Sequence, residues 1–241
     1  MYSTAGCATC PDAETKSDAY AASNPDKVYA VNVHTSDAMT SPQFAYLDGL
    51  LNVTVFSSGS FNRLPFNGSS VLHKTTWNKT VINTCLTKTA SAGLMINTVK
   101  SGSNGTASVT AGFNKSMSGN YKLTVYLVED DVTGTGSGYN QANYYNNIAS
   151  SPFYHLGNPI IGYKHGFVLR KVLSASTGDA VPATSINAGG SYSKTYSFNT
   201  TGYNASKLYV IAFVNKLGSS PLTQEIMNVQ RVKYGSNKAW D

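Results

Sequence analysis

The chain has 241 residues, of which 41% are hydrophobic, and carries 18 Lys and Arg against 12 Asp and Glu for a formal charge of +6. That is long enough to bury one large or two ordinary cores, and too apolar for a disordered chain. The basic residues are spread thinly rather than gathered into the stripe a phosphate backbone requires, which argues against nucleic acid as a partner, and no apolar run approaches the ~20 residues of a membrane-spanning helix.

In chain order, Met1 to Gly6 supply the end of a strand, and Cys7-Ala-Thr-Cys10-Pro11-Asp12 opens a helix. Pro11 suits a first helical turn, where its missing N–H is no loss, while Asp12 and Glu14 complement the helix dipole. Asn24-Pro25 ends the helix, and the alternating, β-branched stretch from Lys27 to His34 predicts a strand. Ser41-Pro42 caps a short helix carrying Phe44, Leu47 and Leu50. Ser58 to Arg63 and Ser69 to His73 predict a hairpin around Asn67-Gly68, a pair that favours positive φ. A last helix is expected from Thr75 or Thr76, with Trp77, Val81 and Cys85 on one face, and that stripe predicts a buried, unreactive Cys85 thiol.

From Ser91 onward only strands are predicted: Ala92 to Lys100, Thr106 to Asn114, Tyr121 to Asp130, Lys164 to Leu173, Ser191 to Phe198, Lys207 to Asn215 and Glu225 to Lys233, separated by Gly, Asn and Ser turns. Tyr121 to Val128 and Lys207 to Val214 are the strongest and are expected at the centre. Between Val132 and Ile161 runs a connection of about thirty residues, against a usual ~4 to 6. It carries Tyr139, Tyr144, Tyr145, Phe153, Tyr154 and His155 among several Asn and Gln. Tyr gives contact area at low entropy cost and the amides adapt their hydrogen bonds, so these six residues are a candidate recognition surface for a protein, peptide or glycan. The competing reading has the tyrosines cover one end of a sandwich.

Over residues 1–90 the order strand, helix, strand, helix, strand, strand, helix is that of thioredoxin. The expected fold class is therefore α+β and two-domain: a thioredoxin-like α/β domain over residues 1–90, its first strand truncated, then an immunoglobulin-like β-sandwich over residues 91–241. Cys7 and Cys10 are the candidate redox pair. At a helix N-terminus the dipole lowers the first thiol's pKa and favours thiol-disulfide exchange, but the same spacing serves a structural disulfide. The four histidines lack helical ligand spacing and no phosphate loop or nucleophile elbow occurs, so neither a metal nor a cofactor is expected. Glu129-Asp130-Asp131 reads as a solvated acidic turn rather than a Ca²⁺ site.

In order, Gly6-Cys7-Ala-Thr-Cys10-Pro11, the strand ending in His34, Phe56-Ser-Ser-Gly-Ser-Phe-Asn-Arg63, the Trp77 helix, Leu127-Val-Glu-Asp-Asp131 and His165-Gly-Phe-Val-Leu-Arg170 resemble the twenty-eight-kilodalton outer membrane protein family of Bacteroidetes, over nearly the whole chain. The resemblance implies a surface or outer-membrane-attached lipoprotein of the cell envelope, its lipid anchor lying upstream of residue 1, with a β-rich second domain of undefined activity. It also places Ser57 where thioredoxin-like proteins carry a cis-proline, with Pro65 in the hairpin tip as the alternative in another register, and Gly6 where thioredoxins carry tryptophan. A non-proline cis bond costs ~3 kcal/mol, so the Phe56–Ser57 bond is expected to be trans and the substrate platform altered. Two functions stand as expectations. One is a non-enzymatic surface protein whose thioredoxin-like module is a scaffold and whose sandwich or long loop binds a partner. The other is an envelope thiol-disulfide oxidoreductase with Cys7 attacking and Cys10 resolving.

Overall fold

The computed structural model describes residues 1–240. Strand β1 (Tyr2–Ser3) leads through a turn into helix α1 (Cys10–Ser23), which has Pro11 in its first turn and closes on Asn24, whose N–H donates to Ala21 O. Strand β2 (Val33–His34) runs parallel to β1, and helix α2 (Gln43–Leu51) ends on Asn52 at φ 58°. Strands β3 (Ser58–Gly59) and β4 (Leu72–His73) complete an antiparallel extension, so that the first sheet has the order β2-β1-β3-β4. Helix α3 (Lys79–Leu86) follows.

The remaining strands are β5 (Ala92–Ser101), β6 (Asn104–Phe113), β7 (Tyr121–Glu129), β8 (Val168–Val172), β9 (Asp179–Ala180), β10 (Ser191–Asn199), β11 (Leu208–Lys216), β12 (Ile226–Lys233) and β13 (Asn237–Lys238). They form a four-stranded sheet, β10-β6-β5-β13, and a five-stranded sheet, β12-β11-β7-β8 with β9 also on β7. The chain is thus of mixed helix and sheet content with several sheets. Leu94 and Ile96 of β5 and Val109 of β6 meet Leu123, Val125 and Leu127 of β7 and Val210 and Val214 of β11 in the largest core.

The two sheets differ in sequence because they differ in cover. β5 and β6 alternate buried with exposed or half-buried residues, as a sheet with one solvated face must. β7 and β11 are buried almost continuously. Their outward residues Tyr126, Val128, Ile211 and Phe213 pack against Tyr2, Val33, Leu47 and Leu51 from the first ninety residues. A parallel bridge between Asn32 and Val168 ties β2 to β8 at the same junction.

Several expected elements are shorter than their patterns. Of Lys27 to His34, only Val33–His34 is a strand, because the N–H groups of Lys27 and Val28 turn back onto Asn24 O and that of Asn32 pairs with Phe167 O. The hairpin retains two paired residues on each side, since Ser57, Asn62 and Arg63 sit at φ 61°, 49° and 52°, which no ladder accommodates. The helix expected from Thr75 is delayed. Lys74–Thr76 form a 3₁₀ turn, Trp77 is extended, and Asn78 caps α3 by accepting from Val81 N–H. Trp77 instead lies across Gly59, where a Cβ would stand 2.8 Å from the ring. The later start buries Val81 and Ile82 and leaves Cys85 half-buried, not buried as the stripe predicted. Burial still pushes its free thiol up to about 11. The strand expected from Lys164 begins at Val168, after Phe167 at φ 43°. The two-residue strands β9 and β13 carry no pattern long enough to read.

Candidate functional site

Cys7 and Cys10 are joined as a disulfide with a Cα–Cα distance of 5.4 Å. Cys10 is the first residue of α1 and is buried, while Cys7 lies in the preceding turn and is half-buried. Ser57 stands against both sulfurs. Its hydroxyl is 3.3 Å from Cys7 Sγ and 3.6 Å from Cys10 Sγ, and 2.6 Å from the Thr9 hydroxyl. The only cis peptide among the described residues is Asn158–Pro159, so the Phe56–Ser57 bond is trans. The Ser57 carbonyl already accepts the Lys74 N–H at 2.8 Å.

The turn is covered by the chain's own long connection. Gln141 Nε2 donates to Cys7 O at 2.8 Å, Ala142 N–H to Ala5 O at 2.8 Å and Tyr144 N–H to Ala8 O at 2.9 Å. Backbone carbonyls on either side of the disulfide are thereby occupied from within. Asn143, buried to 1% exposure, holds the covering segment in shape. Its side chain donates to Phe153 O and Gly157 O and accepts from Tyr145 N–H, each at 2.9 Å. Lys74 fastens the other side: its ammonium donates to Thr9 O at 3.1 Å, to Asp12 at 2.6 Å and to the Tyr145 hydroxyl. Burial alone would lower the Lys74 pKa, but the bonds to Asp12 and Tyr145 outweigh it and raise it.

The six aromatic candidates divide into two groups. Tyr139, Tyr145 and Phe153 are half-buried and turn inward. Tyr139 packs on the Ala5, Met39, Val132 and Val168 cluster, and Phe153 leans on Tyr145 and Tyr163. Tyr144, Tyr154 and His155 face solvent, Tyr144 at 64% exposure, with the His155 ring stacked on Tyr154 at 3.8 Å. Leu156 and Ile161 add 52% and 73% exposed side chains to the same excursion, which makes it the main apolar surface among the described residues.

Sequence reasoning missed the buried polar residues beneath the turn. Glu14, read only as a complement to the helix dipole, is buried one helical turn past Cys10. Its carboxylate accepts from Gly166 N–H, from Asn32 Nδ2 at 3.2 Å and from the Tyr163 hydroxyl at 2.8 Å. Burial pushes the carboxyl up to about 7, against the pull of these bonds and with help from Asp18 and Asp130. His34 Nδ1 lies 2.7 Å from Asp37, which also accepts the Ala5 N–H at 2.8 Å. His165 meets Tyr139 O at 2.9 Å, and burial depresses its pKa to about 4. The available signal was positional: Glu14 repeats at i+4 from Cys10, on the face that carries Cys10 inward. Of the acidic turn expected to be solvated, Glu129 is instead buried against Arg170 at 3.2 Å, while Asp131 stays partly exposed and pairs with Lys207 at 2.5 Å.

A family model described as outer membrane protein Omp28 matches residues 46–238. Among solved structures, HBP35 of Porphyromonas gingivalis is similar with a TM-score of 0.74 at 20% identity, the match covering 97% of this chain and 73% of that one. A domain of the outer membrane lipoprotein Omp28 from Porphyromonas gingivalis aligns at 15% identity and a TM-score of 0.38, over 61% of this chain and 97% of that one. At 20% identity the likeness to HBP35 is one of fold. No curated protein matches the chain.

Proposed function

This chain belongs to the Omp28 outer membrane protein family, which places it in the cell envelope, and from that premise we propose that it is a non-enzymatic binding protein of the envelope surface. In this reading residues 1–90 are a thioredoxin-like scaffold, residues 91–241 an immunoglobulin-like sandwich, and the protein is a lipoprotein. The observation that carries it is the cap. A thioredoxin-like enzyme must lay a substrate strand beside its disulfide, and here the carbonyls of Ala5, Cys7 and Ala8 are already hydrogen-bonded to residues 141–144.

The face offered to a partner is the outer side of that cap, with Tyr144, Tyr154 and His155 as anchors for a protein, peptide or glycan and not for nucleic acid. Half-buried Cys7 is the one feature that favours the alternative, an envelope thiol-disulfide oxidoreductase. Two measurements separate them. In an insulin-reduction assay the chain is expected to turn over slowly and weakly; activity matching a thioredoxin run alongside, and abolished by Cys7→Ser, would replace the binding reading with the enzymatic one. On peptide and glycan arrays the purified chain is expected to retain a ligand class whose affinity falls roughly ten-fold or more in Tyr144→Ala or Tyr154→Ala, as at an aromatic hot spot. Retention that neither variant changes would remove the proposed face.

A further inference from the structure

A cavity of about 220 Å³ lies between the first sheet and the outer face of the five-stranded sheet, and none of the capping residues lines it. Its walls are apolar, with Leu47, Phe61, Trp77, Ile211 and Val229 among them. Lys27, its one exposed lining residue, marks the mouth, and the half-buried residues 28–31 lead inward from it. This is where the expected strand from Lys27 fails to pair, so its apolar residues are left to form a rim rather than a ladder.

Arg63 breaks the apolar lining. It is 7% exposed, its guanidinium stands 5.2 Å from the centre of the Phe213 ring, and its charge acts on the buried Tyr126 hydroxyl. Among the described residues no carboxylate pairs with it. Two hydroxyls close by are buried without a hydrogen-bond partner: Ser60 Oγ, on the cavity wall, and Tyr46 Oη, which feels the Arg63 charge. Asn62 and Arg63 are also both held at left-handed φ, 49° and 52°, a strain that a chain retains where it fixes a side chain for use.

A guanidinium has five donors and no acceptor, and one left without a counter-ion in an apolar room is costly until an anion reaches it. Its planar fork matches a carboxylate with two parallel bonds. The apolar volume sets the rest of the ligand. A cavity of ~150 Å³ holds benzene, so this one takes a somewhat larger apolar group. We propose that the cavity binds a medium-chain carboxylate, the alkyl chain against Trp77 and Phe61 and the carboxylate on Arg63 and Ser60.

The test is a titration of the full chain carrying Trp240→Phe, which leaves Trp77 as its one tryptophan, with decanoate and with decanol below their aggregation limits. Decanoate is expected to give a saturable change in Trp77 emission with an affinity roughly ten-fold above that of decanol, the difference a charged hydrogen bond makes. Arg63→Met should bring decanoate down to decanol, and Ala30→Phe, just inside the mouth, should abolish both. Equal affinities in the parent chain, no saturable change, or decanoate binding that survives Ala30→Phe would each overturn the proposal. Should Arg63→Met fail to fold, the ratio of the two ligands in the parent chain still decides.

Discussion

Glu14→Gln is expected to stabilise the protein by about 3 kcal/mol at mildly alkaline pH and to leave it nearly unchanged at acid pH. The Glu14 carboxyl is buried among Asn32, Tyr163 and Gly166, and burial lifts it from an ordinary 4.5 to about 7. The folded state therefore holds the proton more tightly than the unfolded one. Its contribution to stability is complete below the unfolded value of 4.5 and is lost as the pH rises through about 7. Glutamine keeps the shape and accepts from Gly166 and Asn32 through its carbonyl, while its amide faces Tyr163 and carries no charge to desolvate. Urea unfolding of both proteins near pH 5 and near pH 8 checks it, because other titrating groups cancel in the difference between them. A difference that does not grow with pH would show that Glu14 is not the strained group. Asp18, also raised by burial and by Asp130, acts in the same direction and remains in both proteins.

The strands of the second half were legible because each records its own surroundings. β5 and β6 alternate, and β7 and β11 run apolar because both of their faces are covered, so their composition already implied a layer on the outer side. What covers that side was not legible. Tyr2, Val33, Leu47 and Leu51 look like the interior of a separate unit, and nothing local distinguishes a residue facing its own sheet from one facing the next. At the site, the Cys7-Cys10 turn was readable from four residues, and the trans Phe56–Ser57 bond from Ser57. The cap was not, since Gln141 and Asn143 are polar residues within a loop and are expected outside. Both are buried to 1%, Gln141 because the Cys7 carbonyl more than a hundred positions away takes its amide, Asn143 because Phe153 O and Gly157 O in the same loop take its own, and neither pairing leaves a periodic trace. The half-buried aromatics Tyr139, Tyr145 and Phe153 and the exposed Tyr144, Tyr154 and His155 share one composition, so only the fold separates packing from display.

Gln141→Ala is expected to accelerate reduction of the native disulfide by dithiothreitol about 30-fold. Gln141 Nε2 joins the cap to Cys7 O at 2.8 Å and steadies its own segment through Ala142 O at 3.1 Å. Removing it leaves Cys7 O with the Cys10 N–H at 3.1 Å alone and takes away two of the hydrogen bonds that hold the segment. That lowers the free energy of opening by ~2 kcal/mol, or about 30-fold in the population from which a thiol can attack. Tyr144→Ala is the control. Its exposed ring goes, while its backbone N–H still donates to Ala8 O, so the rate should stay near that of the parent. Rates are read as thiol release under native conditions, with global stability measured beside them to show that the variant opens locally. If Gln141→Ala is reduced no faster than the parent, the reductant reaches the half-buried Cys7 sulfur past a closed cap. In that event the cap no longer separates a structural disulfide from a working one, and the enzymatic alternative becomes the stronger reading.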